Sequence, residues 1–297
     1  MATLVSLAKS GDVKIAASEM ALTPSAIYKF VRELEAQLDL ALFERRTGGR
    51  LRPTEFCEYL LSNISLIFAE LRYALEDLQS LDGQIVGSVT IGTLPSTRSI
   101  IVPAALDKFI ARYPNISVST REASHRQMTS ALAAGDLDMI ITGTRPLSPQ
   151  PGVTTTHLCD DTLHLVARSD HALFKRRKVR VEHLNDSRWV LPPKTTPARH
   201  VYEAIMKETG LSSDMACVES NSVVIMRSMV LNSDFIAITS AQQTQIERNA
   251  GAIAIVPFEL SDDAWPIGVL TRNNTELSPA ATAFFKMLKE AADELPN

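Results

Sequence analysis

"IAASEMALTPSAIYKFVRELEAQLDLALFERRTGGRLRPTEF", running from Ile15 to Phe56, is the stretch that decides the fold. Val13, Ala16, Ala17 and Met20 recur at helical spacing, and Asp12 is placed to cap that helix. Thr23 is a natural N-cap for the next helix. Pro24 suits its first position, where an N–H would have no partner anyway. Ala26, Ile27, Phe30, Val31, Leu34 and Leu38 make the apolar stripe, while Tyr28, Lys29, Arg32, Glu33 and Glu35 lie off it. Upstream, Leu4, Leu7 and Ala8 share one face of a short helix that stops at Gly11. Two short helices joined by a tight turn, with a third before them, predict a helix-turn-helix.

The next segment, Phe43 to Phe56, holds Arg45, Arg46, Arg50 and Arg52. Leu42 and Phe43 anchor it, and Gly48-Gly49 supplies a reversal between two extended pieces. It reads as a β-wing with arginine on each arm. Arginine forks bind phosphate bidentately, and phosphate contact is the main source of affinity for DNA. The helix from Thr23 would enter the major groove and present Ser25, Tyr28, Lys29 and Arg32 to bases and phosphates. The head as a whole is not basic. Residues 1–60 carry eight lysines and arginines against eight acidic residues, and the formal charge of the chain is −4. Affinity must then rest on where the charge sits, and single heads should bind weakly.

Pairing of heads would come from the segment that follows. Phe56, Leu60, Ile64, Ile67, Leu71, Leu75 and Leu78 recur every three or four residues in "EFCEYLLSNISLIFAELRYALEDLQSLDG". So narrow a stripe predicts one long helix, roughly 40 Å by its rise per residue, with a coiled-coil seam. Two heads on one seam gain effective concentration on DNA. Asp82-Gly83 ends the helix. From Gly87 onward strand patterns alternate with helical ones, which predicts βαβ units, parallel sheets and two α/β lobes.

Length and composition agree with this. A chain of 297 residues has a prior of about two domains, and 45 % hydrophobic with 22 % charged residues is ordinary for a globular protein. Cys57, Cys159 and Cys217 are isolated and odd in number, which argues against a disulfide framework. No basic leader or long apolar run is visible, so the expected location is the cytoplasm, with no membrane partner.

Together these residues resemble the winged helix-turn-helix of LysR-type transcriptional regulators. The matching positions are Ala16-Ala17, Thr23, Leu34-Glu35, Leu42-Phe43-Glu44-Arg45 and Thr54. Two places depart from the family pattern: Pro24-Ser25 stands for its usual Gln-Pro pair, and Tyr28-Lys29 for its Ser-Arg/Lys pair. The first helix also looks several residues short, through a misassigned start or a less stable head. The resemblance runs through the linker and lobes. It implies an α/β chain with a winged helix-turn-helix at 1–57, a linker and dimerisation helix at 58–86, and a two-lobed periplasmic-binding-protein-like effector domain at 87–297. Lobe I would take about 87–160 and 266–297, and lobe II about 161–265. The expected partners are double-stranded operator DNA, a small-molecule effector, RNA polymerase, and further copies in a dimer of dimers. Arg45, Arg46, Arg50, Arg52 and Thr54 join Thr23, Ser25, Tyr28, Lys29 and Arg32 as the expected DNA-binding set.

In open α/β sheets, ligands bind beyond the carboxyl ends of strands, where helix N-termini point into a crevice. Four junctions qualify. They hold Leu94, Pro95, Ser96, Thr97 and Arg98; Ser124 and His125; Thr142, Gly143, Thr144 and Arg145; and Lys194, Thr195, Thr196 and Arg199. Hydroxyls and backbone N–H groups there suit a small polyoxygenated or carboxylated ligand. "IGTLP" and "WVLPP" resemble the sugar-responsive and aromatic-acid-responsive branch of the family. Catalytic motifs are absent: there is no GxGxxG, Walker loop, HExxH, CxxC or GxSxG. The six histidines are scattered, so no metal or cofactor is expected. The alternative is a cytoplasmic two-lobed solute-binding or enzyme-like protein that has lost DNA binding.

Overall fold

The computed structural model describes residues 2–45, 50–94, 97, 99–144, 151–185, 187–194, 196–209, 217–258, 260, 265–273 and 275–295. The head opens with α1 (Ala2–Ser10), α2 (Val13–Glu19) and α3 (Pro24–Leu38). Gly11 stops α1 at φ +64, its N–H returning to Leu7 O at 2.9 Å. Asp12 caps α2 through Lys14 N at 2.7 Å, and Thr23 caps α3 through Ala26 N at 3.2 Å. Leu7, Val13, Ala16, Ala17, Ile27 and Val31 close the core of the head, whereas Leu38, expected in the stripe, is exposed. β1 (Phe43–Arg45) and β2 (Leu51–Pro53) pair antiparallel, with Glu44 opposite Arg52. The turn residues Arg46 and Gly48-Gly49 lie outside the described residues.

α4 (Glu55–Ser80) is the long helix. Its stripe divides between two partners. Ile64 is buried against Leu4 and Leu42 of the head, together with Cys57 of its own helix, which removes it from any seam. Phe56, Ile67, Leu71, Leu75 and Leu78 stay exposed, Ile67 at 67 % and Leu78 at 63 %. The face that carries Ala69, Tyr73 and Glu76 is buried.

Lobe I contains β3 (Ser88–Thr93), α5 (Ile101–Arg112), β4 (Ser117–Arg121), α6 (His125–Ala133), β5 (Met139–Gly143) and β6 (Val153–Asp161). The chain then crosses at Thr162 into β7 (Leu163–Arg168), followed by α7 (Val181–Asn185), β8 (Arg188–Leu191) and α8 (Pro197–Thr209). β9 (Cys217–Glu219), α9 (Val223–Asn232), β10 (Phe235–Ser240), α10 (Gln245–Asn249) and β11 (Ile253–Ile255) complete lobe II. β12 (Trp265–Arg272) and α11 (Pro279–Asp293) return to lobe I. The sheets run β4-β3-β5-β12-β6 and β11-β7-β10-β8-β9.

The expectation of parallel sheets needs correcting. β4, β3 and β5 are parallel, as are β9, β8 and β10, but β12, β6, β7 and β11 pair antiparallel. The reason is the crossing. A strand that enters a sheet directly from the other lobe, with no crossover helix, arrives running the opposite way. β6 is the strand that the sequence pattern did not predict. Its exposed Thr154 and Thr155 give no alternation with a buried face.

Burial holds His125, His164 and His171 below the ordinary 6.5 of imidazole. His171 needs its neutral form, because its Nδ1 accepts from Leu173 N at 3.2 Å. Below 6.5 the unfolded chain binds protons that the folded chain refuses, so this stability is full above 6.5 and is lost as pH falls. Thermal melts from about pH 7.5 down to about pH 5.5, across the imidazole range, should show a falling midpoint. His171→Asn, which keeps an acceptor, should flatten the fall; an equally steep fall in the variant would remove His171 from the account.

Candidate nucleic-acid interface and small-molecule junctions

The exposed side of α3 carries Ser25, Tyr28, Lys29 and Arg32, all open to solvent. Lys29 pairs loosely with Glu33 at 3.8 Å, both well exposed, which leaves the ammonium free to exchange partners. Arg45, Arg50 and Arg52 are exposed on the wing. The Arg45 guanidinium lies 5.9 Å from the centre of the Tyr28 ring, so the first wing arm touches the recognition helix. Tyr28 thereby acquires a local role that a serine there would lack.

Two residues of the expected set serve the fold. Thr23 is the α3 cap. Thr54 accepts from Cys57 N at 3.3 Å, and its hydroxyl donates to Ala41 O at 2.8 Å and Leu42 O at 3.2 Å. It locks the start of α4 to the entry of the wing. Glu35 completes the joint: one carboxylate oxygen accepts from Leu42 N at 2.7 Å and Phe43 N at 3.1 Å. The Leu-Glu and Thr positions of the motif are thus the hinge pins between reading helix, wing and linker.

In lobe I the first and third junctions meet. Leu94 N donates to Ile141 O at 3.2 Å, and Thr97 Oγ1 donates to Leu94 O at 3.0 Å and Ile141 O at 3.3 Å. Thr144 donates to Pro266 O through its N–H at 2.7 Å and its hydroxyl at 3.1 Å, and Thr142 Oγ1 bonds Gly143 O at 3.0 Å. Thr97 is fully buried. These hydroxyls therefore shape the loops, while their oxygens keep acceptor capacity. Ser124 forms a capping box with Gln127 at the start of α6, and His125 follows it on the same helix. Pro95, Ser96, Arg98, Arg145 and Thr195 lie outside the described residues.

The fourth junction lies in lobe II. Thr196 Oγ1 donates to Pro193 O at 2.7 Å. Lys194 lines a cavity of about 500 Å³ with Arg199, Tyr202, Glu203, Lys207 and Cys217. Arg199 is spent inside the lobe on Glu203 at 3.0 Å and Glu219 at 3.4 Å. The residues that join the lobes were not anticipated. Arg227 on α9 donates to Ser99 Oγ of lobe I at 2.8 Å and to Gln243 O at 2.5 Å, and faces Glu247 at 3.1 Å. Asp161, at the end of β6, receives the Ser240 hydroxyl and Thr162 N, the latter at 2.8 Å. Arg227 lies inside an apolar-rich helix, with no motif to mark it. Among the described residues no cluster of three or more metal-ligating side chains occurs, and no helix is long and apolar enough to cross a membrane.

Comparison with known proteins matches this arrangement. Residues 1–58 match the bacterial regulatory helix-turn-helix protein, lysR family, and residues 82–293 match the LysR substrate binding domain. The chain is 29 % identical to the HTH-type transcriptional regulator GalR of Pseudomonas putida, over 98 % of this chain and 72 % of that one. It is 26 % identical to PcaQ of Agrobacterium fabrum, over 99 % and 94 %. Two solved structures share the fold. A full-length OxyR variant from Pseudomonas aeruginosa gives a TM-score of 0.72 at 19 % identity, covering 98 % of this chain and 93 % of that one. Full-length CbnR complexed with its target DNA gives 0.68 at 16 %, covering 97 % of each. The matched relatives are regulators rather than enzymes. The winged head, the linker helix and the two α/β lobes therefore belong to a LysR-type transcriptional regulator with an effector-binding domain.

Proposed function

We propose that this regulator binds operator DNA through α3 and the wing, as a dimer of dimers, and answers to a small carboxylated or polyhydroxylated effector, a sugar or small aromatic acid. On this reading residues 1–57 bind DNA, 58–86 pair protomers and 87–297 sense the effector. The single observation that carries the DNA part is the exposed row Ser25, Tyr28, Lys29 and Arg32 beside the wing arginines. The outward Ile67, Leu71, Leu75 and Leu78 support pairing along α4, because a second copy would cover them. The effector reading is supported by the meeting of Leu94, Thr97 and Thr142–Thr144 at one corner, with Arg227 bonding Ser99 nearby. An effector acts by favouring one arrangement of heads over another, so it must bind one of them better. RNA polymerase is the further partner that activation would need.

The test is salt-titrated binding of the full chain to its own upstream intergenic DNA. Arg45→Ala should weaken binding about equally on specific and unrelated DNA, and lower the slope of log affinity against log salt by about 0.9. An unchanged slope would show that the wing does not hold phosphate. No salt-sensitive binding by a folded wild type would instead favour the solute-binding alternative.

A further inference from the structure

The inner face of α4 does not rest on lobe I through apolar packing alone. Tyr73 OH donates to Asp138 Oδ1 at 2.5 Å, and Arg272 donates to Tyr73 OH at 2.9 Å. Arg72 reaches Asp138 at 3.2 Å and Glu76 at 3.3 Å. Arg272 also caps Leu132 O at 3.2 Å and Leu137 O at 3.0 Å, and faces Glu70 at 3.7 Å. Asp138 Oδ2 accepts from Thr90 N at 2.6 Å. Tyr73, Glu76, Asp138 and Arg272 are all buried, at 4 %, 6 %, 1 % and 8 % exposure. Burial and the Asp138 charge push the Tyr73 phenol up to about 12, so it remains a donor.

Two glycines are shaped to the same contact. Gly135 turns at φ +76, and a Cβ there would stand 2.5 Å from Ala69 Cβ on α4. Gly87 turns at φ +117, where a Cβ would meet the Glu76 carboxylate at 2.5 to 2.8 Å. The helix is seated in a socket that tolerates one depth and one rotation. Buried ion networks add little net stability, since apolar residues of the same shape commonly do as well or better. What they supply is a single permitted geometry, because any slip leaves a buried charge without its partner.

The strands tied to this socket are the strands that end at the effector corner. The ladder pairs Leu270 with Ile140 and Ile267 with Gly143. Beyond the ladder, Arg272 donates to Leu137 O just before β5 at one end, and Thr144 N donates to Pro266 O at the other. β3, held at Thr90 by Asp138, ends at Thr93 beside Leu94 and Thr97. A strand of eight residues spans about 25 Å, so β12 joins the two ends directly.

We propose that the Tyr73–Asp138–Arg272 network is the coupling latch of this regulator, fixing the angle of the linker helix on lobe I and carrying movement of the β5–β12 ladder into it. Its link to an effector rests on the function proposed above; its control of the helix angle does not. Tyr73, Asp138 and Arg272 are positioning residues that touch neither DNA nor effector.

The experiment compares the full-length wild type with Tyr73→Phe and with Ala69→Leu, which wedges the socket from the helix side and leaves lobe I unaltered. Hydrogen exchange should quicken at least about tenfold over residues 69–80 in both variants, while α5 and α11 keep wild-type rates. On the upstream intergenic DNA, with no effector added, the bend angle read by circularly permuted fragments should change, with affinity within about threefold of wild type. Faster exchange with an unaltered bend would overturn the latch and leave a packing contact. Unaltered exchange in both variants would overturn it as well. If the wild type itself binds no DNA, the functional reading fails, and small-angle scattering decides the latch: altered maximum dimension in the variants supports it, and identical profiles overturn it.

Discussion

Phe284→Ala is expected to remove about 3–5 kcal/mol from lobe I, the range for truncating a buried aromatic that leaves a cavity. Phe284 is fully buried on α11, and its ring meets Phe109 of α5 edge-on at 5.3 Å. Around it lie Val89, Ile91, Ile141, Ile267 and Leu288. The site is enclosed by the sheet and two helices, so little can collapse into the gap. At 2–4 °C per kcal/mol for a unit the size of the whole two-lobed domain, the thermal midpoint should fall by roughly 6–20 °C. The consequence is directional. α11 and β12 are the last elements of the chain, yet they complete a lobe that starts at β3. Loosening them frees Arg272 and the socket of α4, so regulation should fail before DNA binding does. Urea unfolding followed by a lobe I probe measures it; a loss under about 1 kcal/mol would show that α11 docks loosely.

Glu35→Ala should be the most damaging change of a polar side chain in the hinge between α3 and the wing. Its carboxylate takes the N–H groups of Leu42 and Phe43 as they turn from α3 into the wing. Bonds to a charged acceptor are worth about 1.5–3 kcal/mol each, and removal leaves both donors half-buried without a partner. A loss of about 2–4 kcal/mol follows for a unit whose core is three short helices. Glu35→Gln keeps one acceptor oxygen and should recover part of it. DNA affinity should fall more than in Arg45→Ala, because the whole wing loses its fixed place beside Tyr28. Thermal unfolding and DNA titration of the same samples check this. Wild-type stability with weakened binding would mean that Glu35 acts on DNA directly.

Thr23-Pro24 opening a helix, Gly11 closing one, and the period of α3 and α4 are local signals, set by caps, backbone freedom and the helical repeat. The winged head, the long helix and the alternating lobes followed from them, and with them the fold class. The antiparallel return of β12 was not visible, since strand direction depends on how the chain crosses between lobes. Nor was the role of Thr97 and Thr142: a hydroxyl near a strand end reads the same whether it faces a ligand or its own backbone.

The amphipathic stripe of α4 was legible as a stripe, but its partners were not. Periodicity states that a face will be covered, and only packing states by what. Ile64 turned toward the head, Tyr73 toward lobe I, and Leu71 and Leu75 toward solvent. The sequence by itself determined the helices of the head and linker, the wing and the family, because those depend on neighbours a few residues apart. The tertiary structure alone decided the joining of Tyr73 to Asp138 and Arg272, and of Ser99 to Arg227, since polar partners 65 to 199 residues apart in the chain leave no periodic trace of their meeting.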